Sequence, residues 1–277
     1  METKTLILNF VCNEPIKEKA DKLRGFFANR FGEYILVHQH LKLPNESLLN
    51  FNQKIEVNQS GQNVDEQAQI YLYKNCDNKA GNFYKTENDV QNFNLVSKLC
   101  NNRFLYKIPL IQYKIFHNKP FVVGINEGAE ILKKIYNDIN YLKIGSHEYQ
   151  IKQKIIIERN DNFGLVDKEN MYSFLSPWLA LNGKNYEKYI MTDILEKKIK
   201  LFEKILTGNI ISISKNLKYT VPGAIKVKIC NIREVQTSLK GIPMFGFMGM
   251  FLINFEIPDY WGIGKAISRG FGTIKKI

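Results

Sequence analysis

The front of the chain places an apolar run before a helical pattern. Residues 4–12 (KTLILNFVC) are rich in apolar and β-branched side chains and predict a strand. Residues 14–32 carry apolar side chains at helical spacing, with Pro15 near the first helical position and a glycine at the end. Residues 33–43 (EYILVHQHLKL) predict an extended segment, and the Asn- and Gln-rich residues 44–79 indicate an insertion.

A β-hairpin, a second helix and a further strand are predicted next. Two β-rich runs flank the turn sequence HNKP at residues 117–120, which is a hairpin signal. Residues 126–142 form an amphipathic helical pattern, and residues 149–159 predict a strand. The first half therefore has the order β-α-insertion-β-β-α-β.

The second half repeats the same kinds of element. Residues 171–181 are strand-like, and residues 186–206 predict one long amphipathic helix. Residues 225–239 and 245–257 predict two strands that are joined through the sequence KGIP. The order of strand, helix and paired strands thus occurs twice.

A repeated split β-α-β order predicts an α+β fold with two tandem ferredoxin-like (βαββαβ) domains and a C-terminal glycine-rich loop. We expect the N-terminal domain to span residues 1–157 and the C-terminal domain residues 158–277. A chain of 277 residues has the length of two ordinary domains.

The charge of the chain favours a polyanionic partner. Lys and Arg total 39 against 27 Asp and Glu, which gives a net charge of +12. Such an excess attracts nucleic acid and releases counterions on contact. A lysine-rich solvated surface is the alternative explanation.

Cysteine usage and hydropathy exclude several classes of protein. The four cysteines form no CxxC or other close pair, so neither a zinc site nor a disulfide framework is predicted. The N-terminus does not have the pattern of a signal peptide, and no apolar stretch is long enough for a membrane span. We expect a soluble cytoplasmic protein with reduced thiols and no membrane partner.

The chain ends on WGIGKAISRGFGTIKKI (261–277), in which two Gly-apolar-Gly triplets are separated by five residues. The glycine spacing of a dinucleotide-binding turn and the GxxxxGK[ST] of a P-loop are both absent, and we predict no cofactor. The glycines either permit a bend at the end of a sheet or let the backbone approach a phosphate closely. The candidate phosphate-binding residues are Gly262, Gly264, Lys265, Ser268, Arg269, Gly270 and Gly272.

A second group of basic residues lies upstream. Lys226 and Lys228 alternate with apolar residues in IKVKI, which places both on one face of a strand, and Arg233 follows. A basic strip of this kind could follow a phosphate backbone, and an ordinary solvent-exposed strand is equally consistent with the pattern.

Two histidines share one face of the extended segment. His38 and His40 in YILVHQHLK would lie about 6.6 Å apart along a strand. Such a pair could act as general base and general acid on RNA, whose ribose 2′-OH is an internal nucleophile. Lys42 could share their face and place positive charge against the reacting phosphate. A pair on an exposed strand, or a metal-binding His-x-His with remote ligands, are the alternatives.

The segment GIGKAISRGFG resembles the G-h-G-x5-G-h-G loop (h apolar) of the repeat-associated mysterious proteins of CRISPR systems. More particularly, the chain resembles the CRISPR repeat-processing endoribonucleases. That family is built from two ferredoxin-like domains, and its catalytic histidine commonly lies shortly after the first helix. The positions of His38 and His40 match that region.

The resemblance implies a metal-independent endoribonuclease of antiviral defence that cuts CRISPR repeat RNA (pre-crRNA). Attack by the 2′-OH would leave 2′,3′-cyclic phosphate and 5′-OH ends. Other CRISPR effector proteins would be further partners, and the chain would be a monomer or a homodimer. The alternative is a non-catalytic RNA-binding subunit of a CRISPR effector complex. His117 and His147 resemble turn residues, and we assign them no chemistry.

Overall fold

The computed structural model describes residues 1–32, 34 and 108–277. The extended segment predicted for residues 33–43 and the insertion that follows it fall outside the described residues, except for residue 34. In the described part, the strands are β1 (Glu2–Cys12), β2 (Ile111–Phe116), β3 (Lys119–Ile125), β4 (Tyr141–Ile144), β5 (His147–Asn162), β6 (Gly164–Phe174), β7 (Val227–Leu239), β8 (Ile242–Glu256) and β9 (Ile274–Lys276). The helices are α1 (Ala20–Arg30), α2 (Glu127–Ile135), α3 (Gly183–Ile190) and α4 (Leu195–Asn216), with 3-10 turns at Tyr136–Asp138 and Ile267–Arg269.

The first sheet has the strand order β2-β3-β1-β5-β4, and its neighbours pair antiparallel. Without β4, this order is that of a ferredoxin-like βαββαβ unit. Strand β4 is an additional edge strand that the sequence pattern did not predict.

Strands β1 and β3 of this sheet are buried on both faces, which explains why they are nearly continuous apolar runs. Leu6 and Leu8 of β1 join the core beneath α1 and α2, whereas Ile7 joins the core shared with the second sheet. In β3, Val122 and Val123 divide in the same way. Alternate side chains of a strand point to opposite faces, so a strand covered on both sides favours apolar residues at successive positions.

The second sheet has the order β7-β8-β6-β9, again antiparallel throughout. Helix α4 packs against its inner face, where Phe202 and Leu206 meet Phe247 and Phe251 in one buried cluster. Residues 257–273, with a single 3-10 turn, stand where a ferredoxin-like unit would have its second helix. The prediction of an α+β fold with tandem ferredoxin-like units is confirmed.

Several predicted elements are corrected by the structure. Helix α1 begins at Ala20, five residues later than Pro15 suggested. The predicted long helix is divided into α3 and α4, because Thr192 and Asp193 have low helix propensity and do not continue α3. Strand β6 ends at Phe174, three residues before Pro177, which has no N–H for a ladder.

Strand β5 continues to Asn162, and the domain boundary between residues 157 and 158 stays a prediction.

Trp261 joins the two sheets. Its side chain is fully buried and stacks on Phe163, with 5.6 Å between the ring centroids. Its indole N–H donates to the Thr5 hydroxyl of β1 at 3.3 Å. Both sheets belong to one compact unit of the chain.

Among the described residues, none of the helices has the length and apolar character needed to cross a bilayer.

We expect Trp261→Ala to lower the free energy of unfolding by about 3–5 kcal/mol, because it leaves a large cavity between the sheets. Urea denaturation followed by circular dichroism measures this. Met191→Ala, at an 84% exposed position, is the control and should change stability by less than about 0.5 kcal/mol. Equal effects of the two substitutions would contradict the role given to Trp261.

Candidate functional site

The predicted catalytic residues His38, His40 and Lys42 all lie outside the described residues. The other two histidines are described. His117 is exposed in the turn between β2 and β3, and its φ is 47°. The Nδ1 atom of His147 lies 2.8 Å from Oε1 of Glu18 at an exposed position.

The glycine-rich loop, which we define as residues 262–272, is held by edge strand β2. Gln112 and Lys114 are alternate residues of β2, so their side chains share a face, and both are buried. The backbone N–H of Gly262 donates to Gln112 Oε1 at 2.8 Å. The Lys114 ammonium lies 3.5 Å from the carbonyl oxygen of Ile267. One strand of the first sheet thus contacts both the beginning and the middle of the loop.

The burial of Lys114 perturbs its protonation. Its side chain has almost no contact with solvent, and no carboxylate of the described residues pairs with it. Removal from water disfavours the ammonium form and lowers the pKa of Lys114 to about 7. Gln112 and Lys114 were not predicted as site residues, although polar residues inside the strand pattern IQYKIF were the available signal.

Tight packing accounts for glycine in the loop. Gly264 has a φ of +91°, and a Cβ atom there would meet the Trp178 ring at 2.7 Å. Gly272 has a φ of +60° and donates its N–H to the carbonyl of Pro177 while its own carbonyl accepts from Ile263. Residues with side chains rarely adopt this backbone region. Close packing therefore accounts for glycine at these positions, and the polar side chains beside them are the groups able to bind a phosphate.

The three polar residues of the loop differ in their surroundings. The Lys265 ammonium donates to the carbonyl of Leu181 at 2.8 Å, and burial lowers its pKa. Lys265 thus anchors the loop. Ser268 and Arg269 are partly exposed, and the side chain of neither makes a hydrogen bond or ion pair within the described part of the chain. Of the two loop cations, Arg269 is the better placed to meet an anion.

A bulge brings the upstream basic residues to one face. The register of β7 shifts between Ile229 and Asn231, and as a result Lys228 pairs with Leu252 while Arg233 pairs with Met248. Leu252 and Met248 are four residues apart and share a face, so Lys228 and Arg233 do as well. Without the bulge, their odd spacing would place them on opposite faces. Lys226, Lys228 and Arg233 are all exposed and form what we call the basic row.

The glycine-rich loop and the basic row lie toward opposite edges of the second sheet. The row follows edge strand β7, whereas the loop leads into edge strand β9. The two edge strands are about 14 Å apart, since three strand spacings of about 4.8 Å separate them. Lys275 of β9 shares the face of the basic row through the pairs Ser173–Lys275 and Ser173–Met250. Lys275 was not among the residues predicted from the sequence.

In the described residues, no group of three or more His, Cys, Asp or Glu side chains is arranged to hold a metal ion.

Two models of known families together match most of the chain. The family model described as Cas6b N-terminal domain matches residues 1–50 and 84–162. The model described as Cas6b C-terminal domain matches residues 164–277. Residues 1–50, in the first of these matches, include His38, His40 and Lys42.

Two solved structures resemble the chain along its full length. One is a crystal structure of Cas6b, 30% identical, with a TM-score of 0.73 and coverage of 100% of both chains. Another is a CRISPR RNA processing endoribonuclease, Cas6b, 26% identical, with a TM-score of 0.59 and the same coverage. An uncharacterized protein of Methanocaldococcus jannaschii is 39% identical over 144 residues, which are 52% of this chain and 97% of that protein.

The perturbed pKa of Lys114 predicts a distinct pH dependence of stability. Between about pH 7 and 10.5 the folded protein holds Lys114 neutral while the unfolded chain keeps it charged. Unfolding then takes up a proton, so stability should rise with pH across this range. We expect urea denaturation at several pH values to show a steeper rise for the wild type than for Lys114→Met.

The control for this experiment is Lys22→Met, which removes an exposed lysine of α1. Its stability curve should run parallel to that of the wild type. If the curve of Lys114→Met is also parallel, Lys114 remains charged when buried and the expectation is wrong.

Proposed function

The chain belongs to the Cas6b family, and from that premise we propose that it is an endoribonuclease that cuts CRISPR repeat RNA to release guide RNAs. The observation that carries the proposal is the full-length likeness to a solved structure described as a CRISPR RNA processing endoribonuclease. The net charge of +12 supports a polyanionic substrate. We expect the protein to act in the cytoplasm, as a monomer or homodimer, with other CRISPR effector proteins as further partners.

The proposed reaction uses the nucleophile that RNA itself carries. A neutral imidazole removes the proton of the ribose 2′-OH, and the 2′-oxygen forms a bond to the adjacent phosphorus. The bond from phosphorus to the 5′-oxygen breaks, and an imidazolium donates a proton to that oxygen. The products are a 2′,3′-cyclic phosphate and a 5′-hydroxyl. The proposed step requires no metal ion and no cofactor.

His38 and His40 are the proposed acid and base. Both forms of an imidazole are present near neutral pH, because the ordinary pKa of histidine is about 6.5. Lys42 would place its positive charge against the phosphorane. All three residues lie in the range matched by the N-terminal family model. Either histidine can act as the base, with the other as the acid.

The proposed RNA contacts use both basic surfaces of the second domain. The basic row and Lys275 lie on the face of the second sheet opposite α4. On this face, the phosphate backbone of the RNA would contact exposed ammonium and guanidinium groups. In the glycine-rich loop, Ser268 and Arg269 are the groups free to bind a phosphate within the described residues. Lys265 and the four loop glycines contribute by holding the loop in place.

The proposed chemistry predicts cleavage of a repeat-containing RNA in EDTA. We expect products with 2′,3′-cyclic phosphate and 5′-hydroxyl ends, resolved by denaturing gel and mass spectrometry. A single 2′-deoxynucleotide before the scissile phosphate removes the nucleophile and should abolish cleavage. The same replacement two nucleotides away is the control and should leave cleavage intact. Cleavage that survives the first replacement, or that requires a divalent ion, rejects this mechanism.

The histidine pair predicts large losses of rate with little loss of binding. We expect His38→Ala and His40→Ala each to lower the single-turnover rate by about 10²–10⁴-fold, because each removes one proton transfer. Filter binding should show an RNA affinity close to that of the wild type. His117→Ala is the matched control, since His117 is exposed in a hairpin turn.

The same assay distinguishes the enzyme from a binding subunit. A wild-type protein that binds repeat RNA tightly without cutting it supports the non-catalytic role. Full activity in both His38→Ala and His40→Ala would mean that other residues carry out the proton transfers.

A further inference from the structure

Helix α1 of the first domain presents one face to the glycine-rich loop. Ala20, Arg24 and Phe27 are spaced three and four residues apart, so their side chains lie on one side of the helix. Gly270 packs on Ala20 so closely that a Cβ atom at Gly270 would lie 2.7 Å from the Ala20 Cβ. The Phe27 ring packs on the Tyr113 ring of β2 with 5.1 Å between centroids. Arg24 lies between these two contacts.

This arrangement brings two guanidinium groups together. Arg269 immediately precedes Gly270, and the 3-10 turn that carries it packs on α1. Burial lowers the pKa of Arg24, and the positive charge of Arg269 lowers it further. Neither arginine has a carboxylate partner within the described ranges. Two neighbouring cations without a counterion are unfavourable until an anion binds between them.

A buried hydroxyl adjoins the arginine pair. Tyr113 is 1% exposed, and its hydroxyl makes no hydrogen bond among the described residues. Burial raises the pKa of Tyr113, and the Arg24 charge acts in the opposite direction, so the hydroxyl and the guanidinium are close. A buried polar group without a partner is rare in folded proteins and calls for an explanation. A protonated tyrosine could donate to an oxyanion held by the two arginines.

We propose that Arg24, Arg269 and the Tyr113 hydroxyl form one phosphate-binding position, at which helix α1 and the glycine-rich loop hold the same backbone phosphate of the RNA. This position rests on the proposed function, because it takes RNA as the ligand. Arginine suits the role because its planar fork binds two phosphate oxygens at once. The position would connect the two domains through the substrate, since α1 belongs to the first domain and Arg269 to the second.

The experiment measures binding of repeat RNA to Arg24→Met and Arg269→Met by fluorescence anisotropy over a range of salt concentrations. The RNA carries a 2′-deoxynucleotide at its cut site so that it stays intact. We expect each substitution to weaken binding about 10-fold and to reduce the salt slope by about one, as for a lost phosphate contact. Lys22→Met removes an exposed charge from the same helix and should change binding less than about twofold.

A scan with single methylphosphonates then tests whether the two arginines share a phosphate. Each RNA in the set has one neutral linkage in place of a charged one. One position should differ from all the others. There the neutral linkage should weaken wild-type binding and also make Arg24→Met and Arg269→Met almost equal to the wild type. Lys228→Met of the basic row should still lose affinity with that RNA. Tyr113→Phe should weaken binding of fully charged RNA while leaving the thermal midpoint unchanged or higher.

The outcomes separate this inference from the proposed function. A wild-type protein that neither binds nor cuts repeat RNA overturns the proposed function. If the wild type does both, the shared position is wrong when Arg24→Met behaves like Lys22→Met. It is also wrong when no single methylphosphonate neutralises both arginine substitutions. Unchanged binding by Tyr113→Phe would remove the hydroxyl from the site.

Discussion

The hold of edge strand β2 on the glycine-rich loop is the contact on which the proposed site depends. Gln112 accepts from the Gly262 N–H, and Lys114 reaches the Ile267 carbonyl, both away from water. A buried polar group that loses its partner is costly, so these contacts specify the position of the loop as well as stabilising it. The first domain thereby determines where the loop of the second domain presents Arg269.

In the glycine-rich loop, some residues hold the backbone in place and others keep polar side chains available for a ligand. Its glycines permit close packing against Trp178 and Ala20, and Lys265 is engaged by a backbone carbonyl. Ser268 and Arg269 make no such contact within the described chain. A side chain on a well-held backbone loses little entropy when it binds, which favours a fixed loop for phosphate recognition. Close packing and ligand contact are thus assigned to different residues of one short segment.

Some features of the structure were predictable from the sequence, and others were not. The hairpin at residues 117–120 was predictable because a short turn between two β-rich runs is a local feature. The division of the long helix into α3 and α4 was missed, because the apolar period continues across a break of four residues. Gln112 and Lys114 were missed because their partners are about 150 residues away in the chain. Spacing within a segment carries no information about such contacts.

The amino-acid sequence by itself determined the α+β class, the repeated order of elements, the basic charge and the glycine motif, because each depends on local pattern or composition. The tertiary structure decided which of these residues meet. A bulge in β7 placed Lys228 and Arg233 on one face, and packing of the loop on α1 brought Arg269 to Arg24. Register and packing arise from contacts between segments far apart in the chain, so no periodicity within one segment could specify them.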